Sequence, residues 1–303
     1  MKRQPNLELY RRNETETYEY IKRVLIKRKI PFTEYKRNIF SFRFKNQPLF
    51  VAHMDTVGES NVKRKISYQN NVLMRKGNYV LGADDKAGVD ILLKNIDDIN
   101  FVFTHGEETG AIGAYDLLLN RDFLDILDKV PFAVEYDRMG YSDLISYCAS
   151  DLEYYIGQLT HYVPAAGLFT DVSIWEEYVP GVNLSCGYYG HHTGQEKLII
   201  SEWLTALDTL PKLNVPVERF EISYIPFNDY SNYVPNHQGY YGYKSVENYW
   251  DSFETDSFNL NDMVTCSQCN CSGDINEEFY EDDNGNVLCS QCVESIYGIR
   301  RLT

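Results

Sequence analysis

Five stretches in the first 200 residues each place His, Asp or Glu at, or just beyond, the end of a short apolar run. They are LFVAHMDTV (49–57), LGADDKAG (81–88), FVFTHGEETG (101–110), FAVEYDRMG (132–140) and SCGYYGHHTGQE (185–196). Segments with helical spacing alternate with them, at 15–29, 85–96, 109–119, 151–160, 171–178 and 196–209, with Pro211 closing the region. Further strands are predicted at 39–44, 144–147 and 182–187, and a hairpin over 72–81 turning near Gly77. Apolar strands alternating with helices predict an α/β chain, a three-layer sandwich around a mostly parallel central sheet. Such a sheet gathers ligands outside the carboxyl ends of its strands, so the five acidic or imidazole-bearing ends would face one crevice.

The residue types in that crevice suit a metal. Imidazole and carboxylate are the nitrogen and oxygen donors that zinc accepts, and a catalytic zinc keeps a position open for water. Two ions need more donors than one, and a carboxylate can bridge them. Taken singly, each segment also reads as ordinary surface acid or as first-turn charge complementing a helix dipole. Their shared placement at strand ends favours the metal reading.

Composition narrows the class. The formal net charge of -15 over 303 residues argues against nucleic-acid binding as the main role. Charge is polarised along the chain: residues 1–45 carry 13 basic against 5 acidic residues, and residues 214–303 carry 4 against 15. No run approaches the roughly 20 apolar residues of a membrane helix. The opening MKRQPNLELYRRNETE lacks the apolar core of a signal peptide, and a cytoplasmic protein is expected.

Three regions are expected. Residues 1–212 form the α/β domain, and 213–262, rich in Tyr and Asn, form a linker or arm. Residues 263–303 form a small cysteine-rich module. There Cys266 and Cys269 make one CxxC pair and Cys289 and Cys292 another, with 19 residues between the pairs. That spacing fits a closed, structural zinc site of four thiolates in a zinc-ribbon-like fold. Cys271 offers an alternative to Cys269 or stays a free thiol, while Cys148 and Cys186 read as core residues. The module is acidic, which favours a protein partner over nucleic acid.

HMDTV, GADDKAG, GEETG, a later Asp and HTxxE, in that order, resemble the cocatalytic di-zinc exopeptidases, the clan of zinc aminopeptidases, tripeptide aminopeptidase, zinc carboxypeptidases and related deacylases. The resemblance covers roughly residues 15–210. It implies a phosphorylase/hydrolase-like fold and two catalytic zinc ions. It also implies roles: His53 as a ligand of one zinc, Glu108 as a ligand of the other, Asp137 and His192 as the further ligands, and Asp84 as the bridge. Asp55 would orient the His53 ring, Glu107 would be the general base, and Asp171 would support the site from behind. Glu135 is the alternative to Asp137, and His191 would touch substrate or lie exposed.

Only 28 residues separate Asp55 from Asp84, and 54 separate Asp137 from His192. Neither interval holds the regulatory or lid domains that larger members of that clan insert, so a minimal catalytic core is expected, most like the compact aminopeptidases. The reaction implied is hydrolysis of a peptide or amide bond. The same apparatus would serve an N-acyl amino acid deacylase, and a third reading is a non-catalytic metal-binding scaffold that recruits a protein partner. An aminopeptidase also needs an acid to hold the substrate's ammonium group, for which Glu135 is one candidate.

Overall fold

The computed structural model describes residues 3–58, 66–77, 79–147, 150–167 and 169–222, together with strand segments at 263–265, 272–274, 279–281 and 287–289. The chain divides into two compact units, Met1–Ile225 and Pro226–Thr303.

In the larger unit the elements run α1 (Glu14–Arg28), β1 (Thr33–Tyr35), β2 (Asn38–Ser41), β3 (Leu49–His53), β4 (Ile66–Gln69), β5 (Val72–Arg75), α2 (Ala83–Asn95) and β6 (Asn100–Thr104). They continue with α3 (Ile112–Leu118), α4 (Arg121–Leu127), β7 (Ala133–Arg138), β8 (Asp143–Ser146), α5 (Ser150–Leu159) and β9 (Val163–Pro164). Last come α6 (Asp171–Ile174), β10 (Gly181–Ser185), β11 (Tyr188–Tyr189), β12 (Lys197–Ile199) and α7 (Ile200–Leu213). Eight strands form the main sheet in the order β1-β2-β6-β3-β7-β10-β8-β9. Its centre, β6-β3-β7-β10, is parallel, and antiparallel pairings flank it on both sides.

The parallel centre follows from composition. Every residue of β3, β6 and β10 is buried, as strands covered on both faces require. Successive side chains enter different layers. Phe50, Ala52, Phe101, Phe103, Val134 and Tyr136 pack with α1, α2, α5 and α7. Leu49, Val51, Val102 and Ala133 pack with α3, α4 and α6, where Trp175 sits edge-on to Phe123. The result is the three-layer α/β sandwich with its strand ends aligned.

Local signals set the boundaries. Asn13 and Glu16 form a reciprocal capping box at the start of α1. Asn120 accepts from the Phe123 N–H and so begins α4, a helix the sequence reading does not predict. Two expectations are corrected. The hairpin is β4–β5, turning at Asn70 and Asn71, both at positive φ (50° and 67°), not one turning near Gly77. Two-residue hairpin turns call for this geometry, and Asn tolerates it. The segment expected to be helical from 196 first forms β12, paired with β5. The helix α7 therefore starts at Ile200 and runs past Pro211 to Leu213. Strands β11, β12, β5 and β4 make a second, four-stranded sheet.

Beyond α7 the chain stays on this unit. The Val217 N–H donates to the Asn46 carbonyl (3.0 Å), the Arg219 guanidinium donates to the Leu127 and Val130 carbonyls (2.6 and 3.1 Å), and Phe220 packs on Phe132. In the smaller unit, β13 (Met263–Thr265) pairs antiparallel with β14 (Ser272–Asp274), and β15 (Phe279–Glu281) with β16 (Val287–Cys289). Cys148, Cys266, Cys269, Cys271 and Cys292 lie outside the described residues, as does the Tyr- and Asn-rich run from 223 to 262. Cys289 ends β16, and Cys186 is buried in the larger unit. Among the described residues, no helix is long and apolar enough to cross a membrane.

Candidate active site

The last residue of β3 is His53, whose ring is fully buried. Two residues on, Asp55 Oδ1 lies 3.3 Å from His53 Nδ1, an ion-pair contact off the hydrogen-bond line. The same carboxylate accepts the backbone N–H groups of Glu107 and Glu108, both at 3.1 Å. It thereby holds the 3-10 turn Glu107–Thr109 that follows β6. Burial works against the Asp55 charge, but the His53 contact and the two N–H donors outweigh it and bring its pKa down to about 2.

On the other side of the ring, His53 Nε2 lies 3.1 Å from Asp84 Oδ1, 3.4 Å from Asp137 Oδ1 and 3.9 Å from Glu107 Oε2. Asp84 presents its second oxygen to another imidazole: Oδ2 is 3.3 Å from His192 Nε2. His192 Nε2 in turn stands 2.8 and 3.0 Å from the two Glu108 carboxylate oxygens. One carboxylate thus lies between two imidazoles, with a further acid beside each.

Distances of this size are those between donors to a bound cation. Two donors about 2.1 Å from one tetrahedral zinc stand about 3.4 Å apart. His53, Asp84 and Asp137 could hold one ion, and His192, Asp84 and Glu108 the other. Ligand atoms also lie within 4.8 Å of one another in the sets His53, Asp84, Glu108 and Asp84, His191, His192, as well as His53, Asp85, Asp137. Asp85 is already engaged: it accepts the backbone N–H groups of His53 (3.2 Å) and Gly88 (2.9 Å), joining α2 to the end of β3.

The acids of the crevice hold its two imidazoles protonated. Burial disfavours the charged His53 ring, but Asp137, Asp55 and Asp84 overcome this and raise its pKa well above the ordinary value. His192 is likewise carried against burial, up to about 10, by Asp84 and Glu108. Burial raises Asp137 well above the usual carboxylate range, and Asp84 adds to this. Burial also pushes Glu107 up to about 8, with Asp171 and Glu108 contributing. Asp84, although buried, is lowered by its two imidazole partners.

Neighbours fix Asp137. Its N–H donates to Asn183 Oδ1 (3.0 Å), and its carboxyl accepts from the Thr170 hydroxyl (3.3 Å) and the Tyr188 hydroxyl (3.4 Å). Glu135, two residues earlier on β7, turns to the start of α6, where it accepts from the Thr170 hydroxyl (2.8 Å) and the Val172 N–H (3.1 Å). It is fully buried there. Asp171, also fully buried, accepts from the Thr104 hydroxyl, on the β6 residue registered beside His53. His191 packs edge-on against His192, with ring centroids 4.6 Å apart.

Sequence reasoning assigned no role to Glu196, Asp85, Asn183, Thr170 or Tyr188. Glu196 was visible as the last residue of HTxxE, but its partners are backbone N–H groups and leave no side-chain pattern to read.

No protein-family model matches the chain. A curated relative, the uncharacterized protein YqjE of Bacillus subtilis (strain 168), is 39% identical over 75 residues, which is 22% of this chain and 20% of that protein. The match thus spans about a fifth of the relative's length. Among solved structures, the aminopeptidase PepT of Bacillus cereus superposes with a TM-score of 0.54 at 15% identity, over 69% of this chain and 95% of that one. A tripeptidase of Staphylococcus aureus gives 0.54 at 16%, with the same coverage. The TET1 peptidase of Pyrococcus horikoshii gives 0.53 at 15%, over 67% and 94%. The chain has the fold of these peptidases. At such identities the likeness is one of architecture, and chemistry has to be argued from the crevice itself.

Proposed function

We propose that the protein is a zinc-dependent exopeptidase, an aminopeptidase by preference, acting on a peptide or amide bond. The observation that carries the reading is the Asp84 carboxylate, which offers one oxygen to His53 (3.1 Å) and the other to His192 (3.3 Å). In this reading His53 and Asp137 would hold one ion and His192 and Glu108 the second, with Asp84 available to both. Bound there, two zinc ions would acidify a water and polarise the scissile carbonyl.

The chain's own groups supply the rest. Glu107 borders His53 (3.9 Å) and stands next to Glu108 in the turn held by Asp55, so its carboxylate is placed to take the proton of the attacking water. It then returns that proton to the leaving amine. Asp55 keeps the His53 ring oriented so that Nε2 faces the crevice. Glu135, enclosed behind Thr170, is not available to a substrate ammonium, so that role falls to another acid of the crevice. In the same proposal the protein works in the cytoplasm, and Cys266, Cys269, Cys289 and Cys292 hold a separate structural zinc.

The test is zinc content together with turnover. The full chain should bind about two catalytic zinc ions plus about one in the module. It should release amino acids from amino-acid amides and tripeptides faster than from N-acetyl amino acids; the reverse order would identify a deacylase. Equal rates for the wild type and Glu107→Ala would remove the mechanism.

A further inference from the structure

The segment that carries His192 also grips the peptide that carries Asp84. After the turn at Gly190–Gln195, closed by the Thr193 hydroxyl on the Gly190 carbonyl (2.7 Å), Glu196 turns inward and is fully buried. Its carboxylate receives three successive backbone donors: Gly82 N–H at 2.7 Å, Ala83 N–H at 2.7 Å and Asp84 N–H at 3.1 Å. Successive N–H groups converge in this way only where the backbone curls into an anion-binding nest, and Gly82 supplies the left-handed residue that lets it curl (φ 74°). A side chain at Gly82 would also press on Thr56, 3.2 Å from the added carbon. Thr56 completes the hold, because its hydroxyl donates to the Asp84 carbonyl at 2.5 Å. Both the N–H and the C=O of Asp84 are therefore pinned, one by the His192 segment and one by the segment following β3.

We propose that Glu196 is a positioning residue for the bridging carboxylate, so that one stretch of chain, 190–196, sets both His192 and the backbone of Asp84. This rests on the two-cation reading above. Such outer-shell partners typically change metal affinity or activity by about 10- to 100-fold when altered. Glu196→Gln keeps the size but replaces one accepting oxygen with an amide NH₂ that faces the N–H groups.

The experiment is zinc competition against a chromophoric chelator on the full chain, with steady-state kinetics at saturating zinc. Glu202→Gln serves as control: Glu202 bonds the Tyr189 hydroxyl and takes no part in the crevice. Glu196→Gln is expected to bind the catalytic ions about 10- to 100-fold more weakly and to lose kcat with KM little changed. The control should match the wild type. A Glu196→Gln protein that melts lower when metal-free, yet binds zinc as the wild type does, would overturn the proposal by reducing Glu196 to a fold-stabilising group. If Glu196→Gln does not fold, Glu196→Asp carries the test: it withdraws the charge by one methylene, and wild-type zinc affinity there is equally fatal. A wild type that takes up no catalytic zinc sinks the two-cation reading itself. A wild type that binds two ions beside an unaffected Glu196→Gln sinks this inference alone.

Discussion

Loading the crevice with zinc at pH 7 should expel about two protons per chain. The count comes from the groups that must change state. His53 is held charged by Asp137, Asp55 and Asp84 in spite of burial, and His192 titrates at about 10 beside Asp84 and Glu108. Asp137 faces the His53 ring at 3.4 Å, so the two groups share one proton between them. That proton and the one on His192 must leave before these groups become donors, whereas Asp84 is already ionised. The sign follows from the raised imidazole values. Protonated His192 stabilises the metal-free fold fully below about pH 6.5, and that contribution is lost as pH rises through about 10. Raising pH therefore weakens the protons' hold and strengthens that of zinc. At about 1.36 kcal/mol per proton per pH unit, overall two-ion binding should gain about 2.7 kcal/mol, roughly 100-fold, between pH 6 and 7. The assay is calorimetric zinc titration in two buffers of different ionisation enthalpy, which reads the protons directly. His192→Ala should lower the count by about one. Release of less than one proton, or affinity flat across this range, would refute the assignment of these residues as donors.

Other outcomes follow from the same geometry. Glu107→Gln should leave zinc content unchanged and lower kcat by about 100- to 10,000-fold, read by metal analysis beside turnover. Asp55→Asn should weaken zinc binding by about 10- to 100-fold, because it loosens both the His53 ring and the turn bearing Glu107 and Glu108; chelator competition measures this. Trp175→Ala should cost about 3–5 kcal/mol of stability in denaturant unfolding while leaving zinc affinity of the folded protein intact. Trp175 is fully buried against Phe123 and donates to the Ala114 carbonyl, away from the crevice.

What could be read in advance had a local signature. The buried runs of β3, β6 and β10 announce a parallel centre, and strand-end placement brings His53, Glu107, Glu108 and Asp137 into one neighbourhood, whereas Asp84 stands at the start of α2, with no strand running up to it. Asp137 rather than Glu135 meets His53, although both project from the same side of β7. The difference lies in the start of α6, whose Val172 N–H and Thr170 hydroxyl engage Glu135, and no local pattern reveals that. Glu196 escaped for a similar reason, since its partners lie 112 to 114 residues earlier in the chain. The Asn70–Asn71 pair is itself a legible turn signal, whereas Gly77, with a φ of 87°, marks a bend after β5 has ended.

The division of Asp84 between two imidazoles makes the halves of the crevice share a wall. A rotamer that satisfies one side also presents the free oxygen to the other, so in the two-cation proposal an ion on one side would orient the donor offered to the second. Under the two-cation proposal, losing either ion would also loosen the carboxylate that faces the other, so the two halves of the crevice would not act independently.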